Sequence, residues 1–362
     1  MNRVVILFGL LFSLTAVAQA ASKPHYNARG NLLIVDSDND RVIEIDATTH
    51  TIVWQYQRSV SRTVTNWVVG PSDAERFHGQ TLITARGVLP GMDPRYPDGY
   101  VDSRVFEVNR QGKIHWQYGQ TGVAGAGPNQ LNQPAAAVYS AHTSVLIADQ
   151  GNHRILHLRR RGRGAILIFQ YGTTGVSGSG SNQLNRPASV QRLGNGDYLI
   201  ADTGNDRVVQ VNRHFQIVWQ YGSPGDTATL NAPTYACRLS GSKYLITDSG
   251  NNRILVVDQA GSTLFAFATS SRPGSVAVPQ PARAVLLKNG NYLIADQFNH
   301  QVIEVSAAGD VVWTYGTIGV PGSDPGLLNA PCDAKGVNEF TGLTAPTGGG
   351  SGGGSGIPGS PF

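Results

Sequence analysis

Charge is scarce in this chain: Asp, Glu, Lys and Arg make up 14% of its 362 residues, against roughly 25% in an average soluble domain. Cysteine is scarcer still. The two present permit one disulfide at most and exclude a cysteine-stapled scaffold. No metal-spaced cysteine pair occurs, and G-x-S-x-G is matched only within the low-complexity tail at Gly349–Gly353, not at a strand-to-helix turn as a serine hydrolase requires. Beyond the first 20 residues no apolar run approaches membrane-spanning length. What the chain does have is 44 Gly and 19 Pro, enough to break any array of helices. Hydrophobic residues at 40% argue against disorder. Many short strands joined by glycine-rich turns remain, an all-β pattern.

The first 20 residues carry one cation (Arg3), an apolar run from Val4 to Leu14, and a small-x-small end at Ala18-Gln19-Ala20. This is the pattern of a cleavable secretory signal peptide, so a secreted or periplasmic protein is expected, with no membrane span after cleavage. Removing Arg3 from 28 Lys+Arg leaves 27 against 24 Asp+Glu, a mature net charge of +3. That balance is too weak to name a polyanionic partner, and no nucleic acid is expected. The one dense basic cluster is Arg159, Arg160, Arg161 and Arg163, which offers weak attraction to anionic surfaces.

Internal repeats decide the fold. Pro134 to Asp149, Pro187 to Asp202, Pro233 to Asp248 and Pro281 to Asp296 have one common spacing, and the Asp opens DQGNHR, DTGNDR, DSGNNR and DQFNHQ; a fifth copy, DSDNDR, starts at Asp36. Each Asp ends an apolar run such as YLIAD, a second strand such as RVVQV follows, and an aromatic third such as IVWQY closes the unit. Third strands occur six times, at Trp54, Trp116, Phe169, Trp219, Phe265 and Trp313. Together with an inner strand after the Pro, each unit reads as four antiparallel strands. The pattern predicts a six-bladed β-propeller over residues 21–340. The first unit lacks its inner strand, while Leu327–Val337 reads as an inner strand with no blade after it. The C-terminal strand is therefore expected to complete blade one, removing exposed sheet edges. Residues 341–362, rich in Gly, Ser and Pro, read as a flexible tail.

The succession of QYGTTGVSGSGSNQLNRPASV and GNGDYLIADTGNDRVVQV resembles the NHL-repeat β-propellers, in which a glycine-rich loop leads to a Pro and a D-x-x-N-x-R loop follows. The WQYG strands also resemble those of bacterial arylsulfotransferase-type propellers. The NHL resemblance implies architecture more than activity, since the family includes protein-binding, RNA-binding and sensor domains and the peptidyl-hydroxyglycine amidating lyases. The lyases use a histidine-coordinated zinc and the sulfotransferases a catalytic histidine. The inner strands here contain no histidine, so no catalytic residue, metal or cofactor is assigned.

Repetition separates structure from function. Asp36, Asp149, Asp202, Asp248 and Asp296, with Asn39, Asn152, Asn205, Asn251 and Asn299, recur in five units and read as turn-forming. A calcium loop at Asp36 fails, because Arg41 stands where glycine is needed and Ala47 where the bidentate Glu belongs. The recurrent Trp residues read as blade-to-blade packing. Topology puts the Asp loops and long entry loops on one face and the hairpins, with the Arg159–Arg163 cluster, on the other. The strongest break in the repeat is the blade-two insertion from Gly87 to Asp102, which replaces the Asp loop. Its Asp93, Arg95, Tyr96, Asp98 and Tyr100 are candidate ligand- or partner-binding residues. A second candidate set lies two residues after each Pro, near the axis: Asp73, Tyr235, Arg283 and Asp333. Cys237 and Cys332 fall at different strand parity in non-adjacent blades and are expected to be buried free thiols. The expectation is an exported, non-catalytic propeller binding a ligand or protein through its long-loop face. The alternatives are an envelope enzyme of amidating-lyase or arylsulfotransferase type, and a structural module of an envelope assembly.

Overall fold

A computed structural model describes residues 24–57, 67–141 and 143–337; the expected signal peptide and tail lie outside the described residues. Six sheets of four antiparallel strands are formed. Blade two runs Pro71–Phe77, Gln80–Ala85, Arg104–Val108, Ile114–Gly119 from axis to rim, and blades three to six repeat that order from Ala136, Ser189, Tyr235 and Pro281. Blade one is composite. Its inner strand is Pro331–Gly336, paired with Asn31–Asp36 in a register from Leu32↔Gly336 to Val35↔Asp333. The C-terminal strand closes the ring.

Burial explains the strand compositions. The second strands, such as Tyr198–Asp202 and Tyr292–Asp296, are buried at every position and so are apolar on both faces. Rim strands such as Ile52–Gln57 bury only alternate residues, Trp54 and Tyr56, which is the period-two pattern of a half-exposed strand. Every rim strand carries a register shift against its neighbour. Such a bulge disrupts the free edge and discourages pairing with another chain.

Three sets of hydrogen bonds tie neighbouring blades together. At the rim, indole N–H groups donate to carbonyls on the following blade's hairpin: Trp54 to Arg110 (2.8 Å), Trp116 to Gly164 (3.1 Å), Trp219 to Gln259 (3.0 Å) and Trp313 to Ala47 (2.8 Å). The recurrent tryptophans are therefore directional ties as well as packing. Blade three has Phe169 instead and stacks it on Phe215 of blade four, with 5.4 Å between centroids. Near the axis, Asp333 accepts from the Ala74 amide (3.1 Å), Asp73 from Ala137 (2.9 Å) and Ser189 from Ala236 (3.2 Å). On the loop face, the residue before the Pro that leads each inner strand donates its N–H across the seam. The acceptors are Asp40 (2.8 Å), Ser103 (3.3 Å), His153 (3.1 Å), Asp206 (2.9 Å), Asn252 (3.0 Å) and His300 (3.0 Å). His153 and His300 accept at Nδ1, so both rings are neutral there.

Each Asp loop is a small polar knot. In blade four Asp202 binds the Asn205 amide at 2.7 Å and the Arg207 guanidinium at 2.8 Å, and its other oxygen accepts the Asn185 N–H at 2.7 Å. Blades one, three and five repeat the knot. Blade two rebuilds it: Asp102, from the far end of the insertion, binds Arg104 and accepts the Val69 N–H at 2.9 Å. Blade six has Gln301 in place of the Arg, and Arg272 from its entry loop supplies the guanidinium at 2.8 Å. One donor is not replaced. Pro279 stands where Asn185 stands in blade four, its carbonyl making the same turn contact to Phe298 that Asn185 makes to Gly204, and proline has no N–H. Asp296 Oδ1 is left buried without that donor.

Burial, incompletely offset by Asn299 and Arg272, pushes the Asp296 carboxyl up from 3.8 to about 6. A carboxyl raised in the folded state contributes stability that is complete below pH 3.8 and lost as pH rises through about 6. Pro279→Ala, which restores the N–H without the Asn side chain that would press on the Phe298 Cβ, should therefore stabilise the fold by about 1 kcal/mol at pH 7.5, where the carboxylate gains an amide donor, and by little at pH 3.5. Urea unfolding at both pH values checks this; equal effects at the two, or none at pH 7.5, would contradict it.

Candidate functional site

The two candidate groups fold into different environments. Asp73, Tyr235, Arg283 and Asp333 are buried around the axis, none more than 5% exposed. They are joined by Lys335, which the sequence reading did not single out. Arg283 Nε lies 2.8 Å from Asp333 and its Nη2 3.3 Å from Asp73; Lys335 Nζ bonds Asp73 and lies 3.1 Å from Asp333. The Arg283 guanidinium also sits over the Tyr235 ring at 4.5 Å. Two acids and two bases thus span the seam between blades six, one and two. Burial opposes ionisation of Asp73, but Arg283 and Lys335 override it and hold that carboxyl low. Burial wins at Asp333, which is raised despite the same two cations.

The insertion sits on the loop face. It is a short hairpin pinned by reciprocal bonds between Val88 and Tyr100 (2.8 and 2.7 Å). Tyr96 is buried and its hydroxyl donates to Asp40 at 3.0 Å. Arg95 reaches Asp93 at 2.6 Å and Asp40 at 3.0 Å. Asp40 is the residue that latches blade one to blade two, so the insertion is locked to that seam. Gly87 has a φ of +83° and its carbonyl packs against Gly70; a Cβ on Gly87 would meet the Tyr100 carbonyl oxygen. Glycine is required where the insertion leaves the blade.

Between the insertion and the mouth of the ring lies a cleft of about 550 Å³. Asp93, Arg95, Asp98 and Tyr100 line it; Tyr96 supports it from below. The sequence reading missed its other prominent members: Arg86, Arg186, Asp38 and Phe298. Arg86 is exposed, and its guanidinium forms no hydrogen bond or ion pair among the described residues, although its charge acts on Asp38. Among the described residues the Arg186 guanidinium is held only by Gln150 Oε1, at 3.5 Å. A sequence signal existed for two of them. Asp38 and Phe298 stand where the other Asp loops have Gly151, Gly204 and Gly250. In those loops a Cβ would press on the Asn at the entry, and Pro279 removes that Asn in blade six.

Among the described residues no three His, Cys, Asp or Glu groups approach closely enough to hold a metal. Both thiols are free; Cys237 is buried, whereas Cys332 is half-buried and donates to the Pro71 carbonyl at 3.4 Å. Burial pushes both up to about 12, so neither is a thiolate at neutral pH. Arg159, Arg161 and Arg163 are exposed on the hairpin face, whereas Arg160 pairs with Glu107 at 2.6 Å.

These observations define a closed six-bladed β-propeller with a polar cleft at its loop-face mouth. A protein-family model described as the outer membrane protein assembly factor BamB matches residues 9–180, just under half of the chain. The chain is 29% identical over 119 residues to the protein brain tumor of Drosophila melanogaster, covering 32% of this chain and 11% of that protein; it thus spans about a tenth of that relative's length. Among solved structures it resembles a protein of unknown function from Bacteroides caccae, with a TM-score of 0.60 and 15% identity over 86% of this chain and 100% of that one. A catalytically inactive virginiamycin B lyase from Staphylococcus aureus with quinupristin aligns at a TM-score of 0.48 and 15% identity, covering 71% and 73%. At such identities the likeness is one of fold.

Removing one member of a fully buried ion cluster leaves uncompensated charge. Lys335→Met should cost about 3–5 kcal/mol in chemical unfolding. A loss below about 1 kcal/mol would show that the cluster does not secure the seam.

Proposed function

We propose that this chain is an exported, non-catalytic propeller of the NHL-repeat kind that binds a ligand or partner segment in the loop-face cleft. The observation that carries this reading is convergence. The insertion, Asp38, Phe298 and Pro279 all depart from the repeat, all belong to blades six, one and two, and the first three line one cleft. Departures without a common role would be scattered around the ring. The insertion is rigid, tied by Arg95 and Tyr96 to Asp40, so the site is organised before anything binds, which lowers the ordering cost of association. Arg86 supplies a guanidinium without a hydrogen-bond partner among the described residues, suited to a carboxylate or phosphate, and Met92, 75% exposed on the rim, supplies an adaptable apolar contact. Export rests on the pattern of residues 1–20, and the NHL kinship on the recurring D-x-x-N-x-R knots.

The test follows from the anatomy. Excising Leu89–Gly99 and joining Val88 to Tyr100 removes the cleft wall but keeps the Asp102–Arg104 knot. That variant and Arg86→Glu should lose captured partner at least tenfold in pull-downs from the native envelope, with melting temperatures within a few degrees of the parent. Undiminished capture by both would overturn the site. Turnover of aryl sulfates or esters by the purified chain would overturn the non-catalytic reading.

A further inference from the structure

The hairpin face carries its own departure from the repeat. The two outer strands of blade three, Arg154–Arg161 and Gly164–Tyr171, are eight residues each, whereas their counterparts in the other blades have five or six. Both strands are lengthened at the same end, where Arg159↔Ile166 and Arg161↔Gly164 pair beyond the Leu158↔Leu167 level that corresponds to Val211↔Ile217 in blade four. The blade three hairpin therefore projects about 7 Å past its neighbours.

The projection is basic and apolar together. Arg159, Arg161 and Arg163 are exposed, and their guanidiniums make no hydrogen bond or ion pair among the described residues. Glu107 is already taken by Arg160 and by the Tyr139 hydroxyl. Beside the arginines, Ile166 is 46% and Leu167 53% exposed. A tight two-residue turn holds three guanidiniums at the tip of a convex ridge, which leaves them mutually repelling in the free protein. An anionic surface relieves that repulsion.

We propose that this hairpin docks the propeller on an anionic phospholipid surface. Guanidiniums pair with lipid phosphates in a forked geometry, and the adjoining aliphatic side chains enter the interfacial layer, a combination that membrane surfaces reward. A convex tip with aliphatic flanks suits a soft, laterally mobile surface; an acidic protein groove or a soluble polyanion would engage the arginines and leave Ile166 and Leu167 in water. The docking hairpin and the cleft lie on opposite faces, so a docked propeller presents its cleft away from the bilayer. This inference stands independently of the ligand reading above.

Sedimentation of the purified full chain with vesicles tests it. The chain should bind vesicles of equimolar phosphatidylglycerol and phosphatidylcholine, not phosphatidylcholine alone, and release in high salt. Joint replacement of Arg159, Arg161 and Arg163 by Gln should weaken partitioning roughly 100-fold. Ile166→Ser with Leu167→Ser should weaken it roughly tenfold. Arg86→Glu, on the other face, should leave it within twofold. Absent binding, equal binding to neutral vesicles, or no effect of the arginine replacements would overturn the proposal. So would binding that depends on the arginines, ignores Ile166 and Leu167, and is matched by heparin, the outcome of a soluble-polyanion site.

Discussion

The structure depends on one strand pairing. Pro331–Gly336 lies in blade one with a partner from the other end of the described chain, and it brings Asp333 and Lys335 into the ion cluster with Asp73 and Arg283. Without it, blade one has no inner strand, blade six faces solvent, and four charged groups lose their shared partners. A ring of sheets has no stable open form of the same quality, because opening exposes two apolar blade faces as well as a sheet edge. Closure also brings blades six, one and two together, and their loops build most of the cleft, with Gln150 and Arg186 on its far side.

Repetition then sets what is free to vary. Each blade is held by a rim tie, an axial tie or a loop-face latch, and the latch tolerates any acceptor of suitable reach: Asp, Asn, Ser and His all occur. The histidines of the Asp loops are seam residues for that reason. Where a knot is broken it is mended from elsewhere in the chain, by Asp102 in blade two and by Arg272 in blade six. Pro279 is the exception, and it costs Asp296 a donor while making room for Phe298 in the cleft.

The fold was almost wholly legible in sequence, because the Pro-to-Asp spacing recurs often enough to fix blade number, and a missing first strand with a surplus last one fixes closure. The site was legible in outline. The insertion stood out as the longest break in a repeat, and Asp93, Arg95, Asp98 and Tyr100 do line the cleft. Arg86 and Arg186 did not stand out, since each is one residue in a variable loop and only the ring places them across one space. Tyr96 and Asp102 read as possible contacts or loop ends, yet both are buried in the seam; spacing cannot distinguish a side chain that faces outward from one that anchors its own loop. Lys335 escaped notice because its partner Asp73 lies 262 residues away in blade two.

Hydrogen exchange across the closing strand tests the central claim most directly. Ring closure predicts that the interior amides of Pro331–Gly336 exchange only with global unfolding, as slowly as those of the central strand Tyr198–Asp202. Exchange at the rates of an exposed loop would contradict a ring closed in blade one.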